Sequence, residues 1–461
     1  MPLQQKKLDK ALKNSIKEGS AFSAMDGITS TYTTPFAIAL GASNAEVGIL
    51  SSIPNFFTTL SQVFAGKYIE KRGRKNVAVR LSLIQKLIWI PIMLIPIFFL
   101  KGGVWLFIIF LTLSNVVLSS ANTAWSSWMG NLVPEKIRGS YFGKRNTIQA
   151  VFSFSTTLLA GWLLGLTKSL FGFSLVFFLA FIFGLMSYFY LRKIPDADYK
   201  KSNGKNSIKV LDFLKEIKKY KNFYPFTKHM SLLSFAANIA SPFFTVYMLS
   251  VMKVGYAWYG IIIASEILTR VLMLRYWGRL SDKFGDRTIM SLCNILIVFY
   301  PFFFLFVKST FHLILISIFS GIAWSGFDLT SFNYLLDVTP PEKRPSYIAN
   351  YKISVGTALF FAPLIGGYIA QNLTILFNGL QLLFVVSFIL RGIVTAYGLP
   401  RLKEVRVKRV LPVTDVFLKA FAIYPARGIT HELVYVQNRF EYFEKGIIKK
   451  VRGLREIVKK R

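Results

Sequence analysis

Apolar residues in this chain come in runs of about twenty, the length that crosses roughly 30 Å of hydrocarbon, and polar residues gather in the stretches between them. Twelve runs are counted. In the first half they lie at about 20–41, 45–66, 77–100, 103–129, 142–166 and 170–192, and in the second at about 228–252, 255–277, 288–308, 310–336, 347–370 and 374–398. The first run is the least apolar, because it carries Asp26, Ser30, Thr31, Thr33 and Thr34. Each run is expected to be a membrane-spanning helix, so the fold class is an all-α polytopic membrane protein of twelve transmembrane helices.

Cations are segregated between alternate connections. Those after runs 1, 3, 5, 7, 9 and 11 hold at most one each (Lys101, Lys168, Lys253, Lys308, and none at Gly41–Ala45 or Gln371–Thr374). The others are clusters: Lys67, Lys71, Arg72, Arg74 and Lys75; Lys136, Arg138, Lys144 and Arg145; a Lys-rich stretch from Arg192 to Lys228; Arg279, Lys283 and Arg287; Lys343 and Arg344. Cationic loops resist translocation, so both termini are expected in the cytosol of a multi-pass plasma-membrane protein, with residues 1–19 a retained cytosolic segment.

Over the whole chain 56 Lys and Arg face 22 Asp and Glu, a net charge of +34, while 53% of residues are hydrophobic. A basic nucleic-acid-binding domain scatters its apolar residues at helical spacing, so nucleic acid is excluded as a partner and the charge is read as topology. The basic tail, 399–461, is expected near anionic lipid headgroups. A lone cysteine, Cys293, and three scattered histidines exclude disulfide and metal chemistry, and no cofactor, nucleotide or hydrolase motif is present, so no enzyme activity is expected.

The chain repeats itself. At an offset of 212 residues Ala24, Asp26, Thr33, Gly48, Ile49, Gly66, Lys71 and Gly73 face Ala236, Asn238, Thr245, Gly260, Ile261, Gly278, Lys283 and Gly285, with Glu70 facing Asp282. At an offset of about 207, Pro134-Glu135-Lys136 faces Pro341-Glu342-Lys343. Two parallel six-helix bundles follow, 20–192 and 228–398, joined by a basic linker at 193–227, with a substrate path between them.

Between runs 2 and 3 the chain reads Gly66-Lys-Tyr-Ile-Glu70-Lys71-Arg72-Gly73-Arg74-Lys75, and between runs 8 and 9 Gly278-Arg-Leu-Ser-Asp282-Lys283-Phe-Gly285-Asp286-Arg287. Both resemble the G-x-x-x-D-[RK]-x-G-[RK]-[RK] loop of the major facilitator superfamily, at the same place in each half, with Glu70 in place of the usual aspartate and Asp286 where a base is common. The resemblance covers about 18–400, and Pro134-Glu135-Lys136-Ile137-Arg138 and Pro341-Glu342-Lys343-Arg344 are similar to the family's second cytosolic signature. It implies that Glu70 or Asp282 meets the start of an opposing helix in one access state and releases it in the other. On physical grounds Gly66 and Gly278 admit close helix approach, Gly73 and Gly285 permit a φ > 0 turn, and Arg138 or Arg344 is expected to reach Glu70 or Asp282.

Ionisable residues inside the runs carry the functional signal, since each costs about 2.5–3.5 kcal/mol at the bilayer centre unless a cavity or partner receives it. They are Asp26, Glu266, Arg270 and Asp328; Glu266 and Arg270 are four apart and share a helix face. The repeat pairs Asp26 with Asn238 and Asn122 with Asp328, carboxylate against amide at two helix positions, and the family resemblance implies that these four line a central cavity. Thr33, Thr34, Asn55, Trp125, Trp128, Asn146, Gln149, Thr245 and Trp324 are secondary candidates, and Lys86 and Arg391 are expected to snorkel to the headgroups as structural cations.

The expected function is secondary transport of a small solute by alternating access in a monomer. Proton coupling through Asp26, or after it Asp328 or Glu266, is one energy source and the solute's own gradient another. The alternative is a non-transporting receptor or scaffold acting through the basic tail.

Overall fold

The computed structural model describes residues 2–99, 102–167, 169–196, 222–340, 344–373 and 378–405, and gives no side chains for 2–7, 63–67, 70, 71, 345 and 346. Most of the expected linker and tail, and Glu342, therefore lie outside the described residues. Within them the chain is helical: α1 (Pro2–Ala39), α2 (Asn44–Arg72), α3 (Arg74–Phe98), α4 (Gly103–Leu132), α5 (Glu135–Thr167), α6 (Leu170–Arg192), α7 (Phe223–Val251), α8 (Tyr256–Phe284), α9 (Asp286–Phe304), α10 (Thr310–Asp337), α11 (Arg344–Asn372) and α12 (Gly379–Gly398). Ten of the twelve are long and apolar enough to cross a membrane by length and composition; α1 and α2 are too polar. α1 runs unbroken from Pro2 through the 1–19 stretch and buries Glu18.

Local chemistry explains the turns. Gly41, at φ +88°, carries the chain out of α1, and Ser43 with Glu46 forms a reciprocal capping box that starts α2. Gly73 (φ +83°) and Gly285 (φ +91°) each end one helix and begin the next in a single residue, the left-handed turn expected of both. Inside α7 the regular helix stops at Asn238, restarts at Ser241 with Pro242 in its first turn, and closes in a π turn at Tyr247–Val251.

The two halves are built alike. In the first, α1 packs on α5 and α6, α3 on α4 and α6, and α2 on α4; in the second, α7 packs on α11 and α12, α9 on α10 and α12, and α8 on α10. The halves meet through α2 with α11 and α5 with α8, a pairing that the same duplication relates to itself. One large apolar core, including Tyr32, Phe36, Val47, Phe107, Phe243, Tyr247 and Phe384, unites both halves at the end with the short, poorly charged connections. At the basic-loop end the core splits in two, one around Trp128, Val133 and Tyr141 and the other around Trp277, Tyr334 and Tyr347.

Candidate solute cavity

At the short-loop end the halves are sealed by backbone. Asn44 Nδ2 donates to Ala370 O (3.1 Å), Ala45 N donates to Gln371 Oε1 (2.9 Å), and α2 and α11 approach so closely that a Cβ on Gly48 would lie 2.4 Å from Pro363 O. In the other seam Tyr32 OH donates to Thr157 O (2.8 Å) and Tyr259 OH donates to Thr31 O (3.3 Å) around the Gly161–Gly260 contact. Toward the basic-loop end α4 and α10 leave Asn122, Ser126, Asp328 and Phe332 exposed.

Below the seal lies a cavity of about 420 Å³ lined from both halves. α1 contributes Asp26, Ser30, Thr33 and Thr34, α2 Asn55, α3 Gln85 and Trp89, α7 Asn238 and Thr245, and α11 Pro363. Asp26 and Asn238, matched by the repeat, thus face one space. The break in α7 places Asn238, whose amide donates to Ser234 O (2.8 Å). Gln85 donates to Ser114 Oγ (3.2 Å) while its own oxygen, like the Trp89 indole N–H, is buried without a protein partner. The wall is polar on most sides, with a carboxylate, amides and hydroxyls from both halves.

The remaining intramembrane candidates form other clusters. Arg270 is hydrogen-bonded to Asp328 across α8 and α10 and lies 3.6 Å from Glu266 one turn before it; none of the three lines the cavity. Asn122 lines a second cavity inside the first half, and Trp125 and Gln149 line it too. That cavity also holds the residues that sequence reasoning missed. Glu18 and Arg145 are bonded at 2.9 Å with each side chain 8% exposed, and Arg145 also donates to Ser15 O (3.2 Å) and Gln149 Oε1 (3.1 Å) and stacks on Trp125. Lys86 is 1% exposed instead of reaching the headgroups. Gly184 makes the room, for a Cβ there would lie 2.7 Å from Lys86 Cγ. Arg391 is equally buried and staples three helices, donating to Ile297 O (2.9 Å), Ala237 O (3.2 Å) and Ser387 Oγ (3.1 Å). The signal available was spacing: Glu18 precedes Asp26 by two helical turns, and Lys86 stands beside Gln85 well inside the third apolar run.

In this conformation the basic-loop arginines bond to backbone carbonyls. Arg138 donates to Gly130 O (2.8 Å) and Arg344 to Leu336 O (3.3 Å), each capping the helix eight residues upstream. The Glu70 and Lys71 side chains and the surroundings of Gly66 in α2 are not described. Nothing crowds Gly278, whose nearest neighbour would be Leu329 Cδ2 at 3.8 Å, because the halves stand apart here. Asp282 and Lys283 are exposed. Arg74 donates to Ser127 O (3.3 Å), and Glu135 opens α5. The carboxylate at a helix start is Glu404, which accepts from Arg287 N (3.0 Å) beside Gly285, while buried Asp286 accepts from Ser281 and from Asn333 (3.1 Å).

A twofold-duplicated twelve-helix body with paired glycine-turned basic loops is matched over residues 19–275 and 232–424 by the model of the Major Facilitator Superfamily. The chain belongs to the major facilitator superfamily. Among curated superfamily members it is 26% identical over 162 residues to YuxJ of Bacillus subtilis (strain 168), described as an uncharacterised MFS-type transporter; the match covers 34% of this chain and 40% of that one, so it spans well under half of the relative. Superfamily folds of known structure align over nearly their whole length. A variant of the nucleoside transporter NupG gives a TM-score of 0.70 at 15% identity, covering 85% of this chain and 100% of that one. An inward-facing, unoccupied bacterial homologue of the human lysosomal transporter Spinster gives 0.64 at 13% identity, covering 90% and 98%.

Proposed function

We propose that this protein is a secondary transporter that moves a small solute across the plasma membrane by alternating access, and that it stands here open to the cytosol. The observation that carries the reading is the core itself: single at the short-loop end, split at the basic-loop end, with a polar cavity at the division. The charges of the loops support a cytosolic position for the split end. Rocking the halves about the cavity exchanges the backbone seal at Gly48 and Gly260 for contacts between the basic loops, Glu70 and Asp282 among them. The matching inward-facing Spinster homologue supports the assignment of state.

Asp26 is the proposed coupling group. It is half-buried in the cavity wall, with Ser30 bonded to its carbonyl and Lys86 of α3 acting on it electrostatically. A carboxylate that meets the cytosol in one state and the outside in the other carries a proton when its protonation differs between them. The scaffold alternative rests on the tail, which beyond residue 405 lies outside the described residues, and on no feature of the described body.

The test is uptake by purified protein in liposomes, with pooled metabolites and drug-like cations, with and without an imposed proton gradient, wild type beside Asp26→Asn. Accumulation that requires both the gradient and Asp26 is expected. Equilibration without the gradient assigns facilitated diffusion, and absence of movement in every pool removes transport in favour of the scaffold.

A further inference from the structure

The second cavity, about 290 Å³, lies wholly within the first half between α1, α3, α4, α5 and α6, and shares Leu118 with the central one. Its charged lining residues are Glu18, Lys86 and Arg145, one carboxylate against two cations. The pairing among them is unequal. Glu18 accepts from Arg145 at 2.9 Å and from the Ser187 hydroxyl at 3.4 Å, and the Arg145 guanidinium is bonded to Glu18, Ser15 and Gln149 and stacked on the Trp125 face. Lys86 is left over. Its ammonium has no hydrogen bond or ion pair among the described residues; it lies 5.2 Å from the Phe22 ring and feels Glu18 and Asp26 only at longer range.

A buried ammonium with no direct counter-ion is costly, and an anionic ligand at Lys86 would offset that cost. The rest of the wall agrees in sign. The Trp125 indole N–H is buried and unpartnered, and Asn122, Ser82 and Ser126 add an amide and two hydroxyls. The site is rich in donors and poor in acceptors, since its one carboxylate is already bonded. That is the complement of an oxyanion.

We propose that the Lys86 cavity is the subsite for a carboxylate or phosphate group of the transported solute, whose remaining polar part occupies the Asp26–Asn238 cavity beyond Leu118. This rests on the reading of the chain as a carrier and makes its cargo anionic or zwitterionic. Lys86 is the group that holds the oxyanion; Asn122 and the Trp125 N–H orient it.

The cavity's field is measurable without knowing the cargo. The chain has one cysteine, Cys293, fully buried, so a thiol at Ser126 reports alone. Ser126→Cys protein in phosphatidylcholine nanodiscs, where no anionic lipid competes, is treated with a sulfonate-bearing and a trimethylammonium-bearing methanethiosulfonate. The anionic reagent is expected to react at least about tenfold faster than the cationic one, with the preference lost in Lys86→Gln and kept in Lys86→Arg. Acetate or inorganic phosphate is expected to slow the reaction, and which of them does so separates carboxylate from phosphate cargo. Equal rates, a cationic preference, or no reaction with either reagent overturns the subsite. Protection by phosphatidylglycerol nanodiscs but by neither free anion reassigns it to a lipid headgroup. If uptake fails while the anionic preference stands, the carrier reading is what fails.

Discussion

Gly48 in α2 and Gly260 in α8 are the same position of the duplicated half, and each closes one of the two seams that join the halves at the short-loop end. A Cβ on Gly48 would lie 2.4 Å from Pro363 O, and one on Gly260 would lie 2.7 Å from Tyr32 OH and 3.3 Å from Gly161 Cα. Duplication put a small residue at both seams, so helices of opposite halves touch through backbone.

A side chain at either seam has nowhere to go, because the opposing atoms are carbonyls, α-carbons and, at Gly260, the hydroxyl of fully buried Tyr32. Gly48→Leu and Gly260→Leu are expected to open the short-loop end and favour the opposite access state by about tenfold, near 1.4 kcal/mol. In a Thr245→Cys background, labelling by an impermeant thiol reagent from the short-loop side is expected to rise accordingly. Unchanged labelling would mean that the seams do not gate.

Ala45 and Gln371 are joined across the halves at 2.9 Å. Cysteines at these two positions, bridged by a short bifunctional maleimide, are expected to lock the seal and abolish uptake, whereas the unbridged double variant transports. Transport by the bridged protein would place the moving contact elsewhere.

Glu18 and Arg145 are both more than nine-tenths buried, so breaking the pair strands a charge. Glu18→Gln and Arg145→Gln are each expected to cost about 3–5 kcal/mol, and the double variant to recover part of that loss. Thermal unfolding in detergent reads the cycle; additive losses would show that the two residues act independently.

Arg270 differs in kind. Its side chain is 39% exposed and that of Asp328 50% exposed, so the bridge is worth no more than about 1 kcal/mol to stability. Arg270→Gln is expected to leave the unfolding temperature within a few degrees of wild type and to lower uptake at least about tenfold. A large fall in stability with normal uptake would make it a structural bridge.

The twelve helices, their duplication and the glycine turns at Gly73 and Gly285 were legible in the sequence, because hydrophobic length, cationic loops and positive φ are local properties that leave local marks. The pairing of Asp26 with Asn238 was legible too, since the repeat carries it. What only the tertiary structure decided is which polar groups share a space. Asn122 and Asp328 match in the repeat yet sit in different clusters, because the halves are splayed at the basic-loop end. Glu18 stands in the expected N-terminal segment, and only the packing of α1 shows it buried. Lys86 looked like a snorkelling cation until Gly184 left room for its stem between helices. Burial of a charge depends on the neighbour that pairs with it or makes space for it, and those neighbours lie 98 to 127 residues away in this chain.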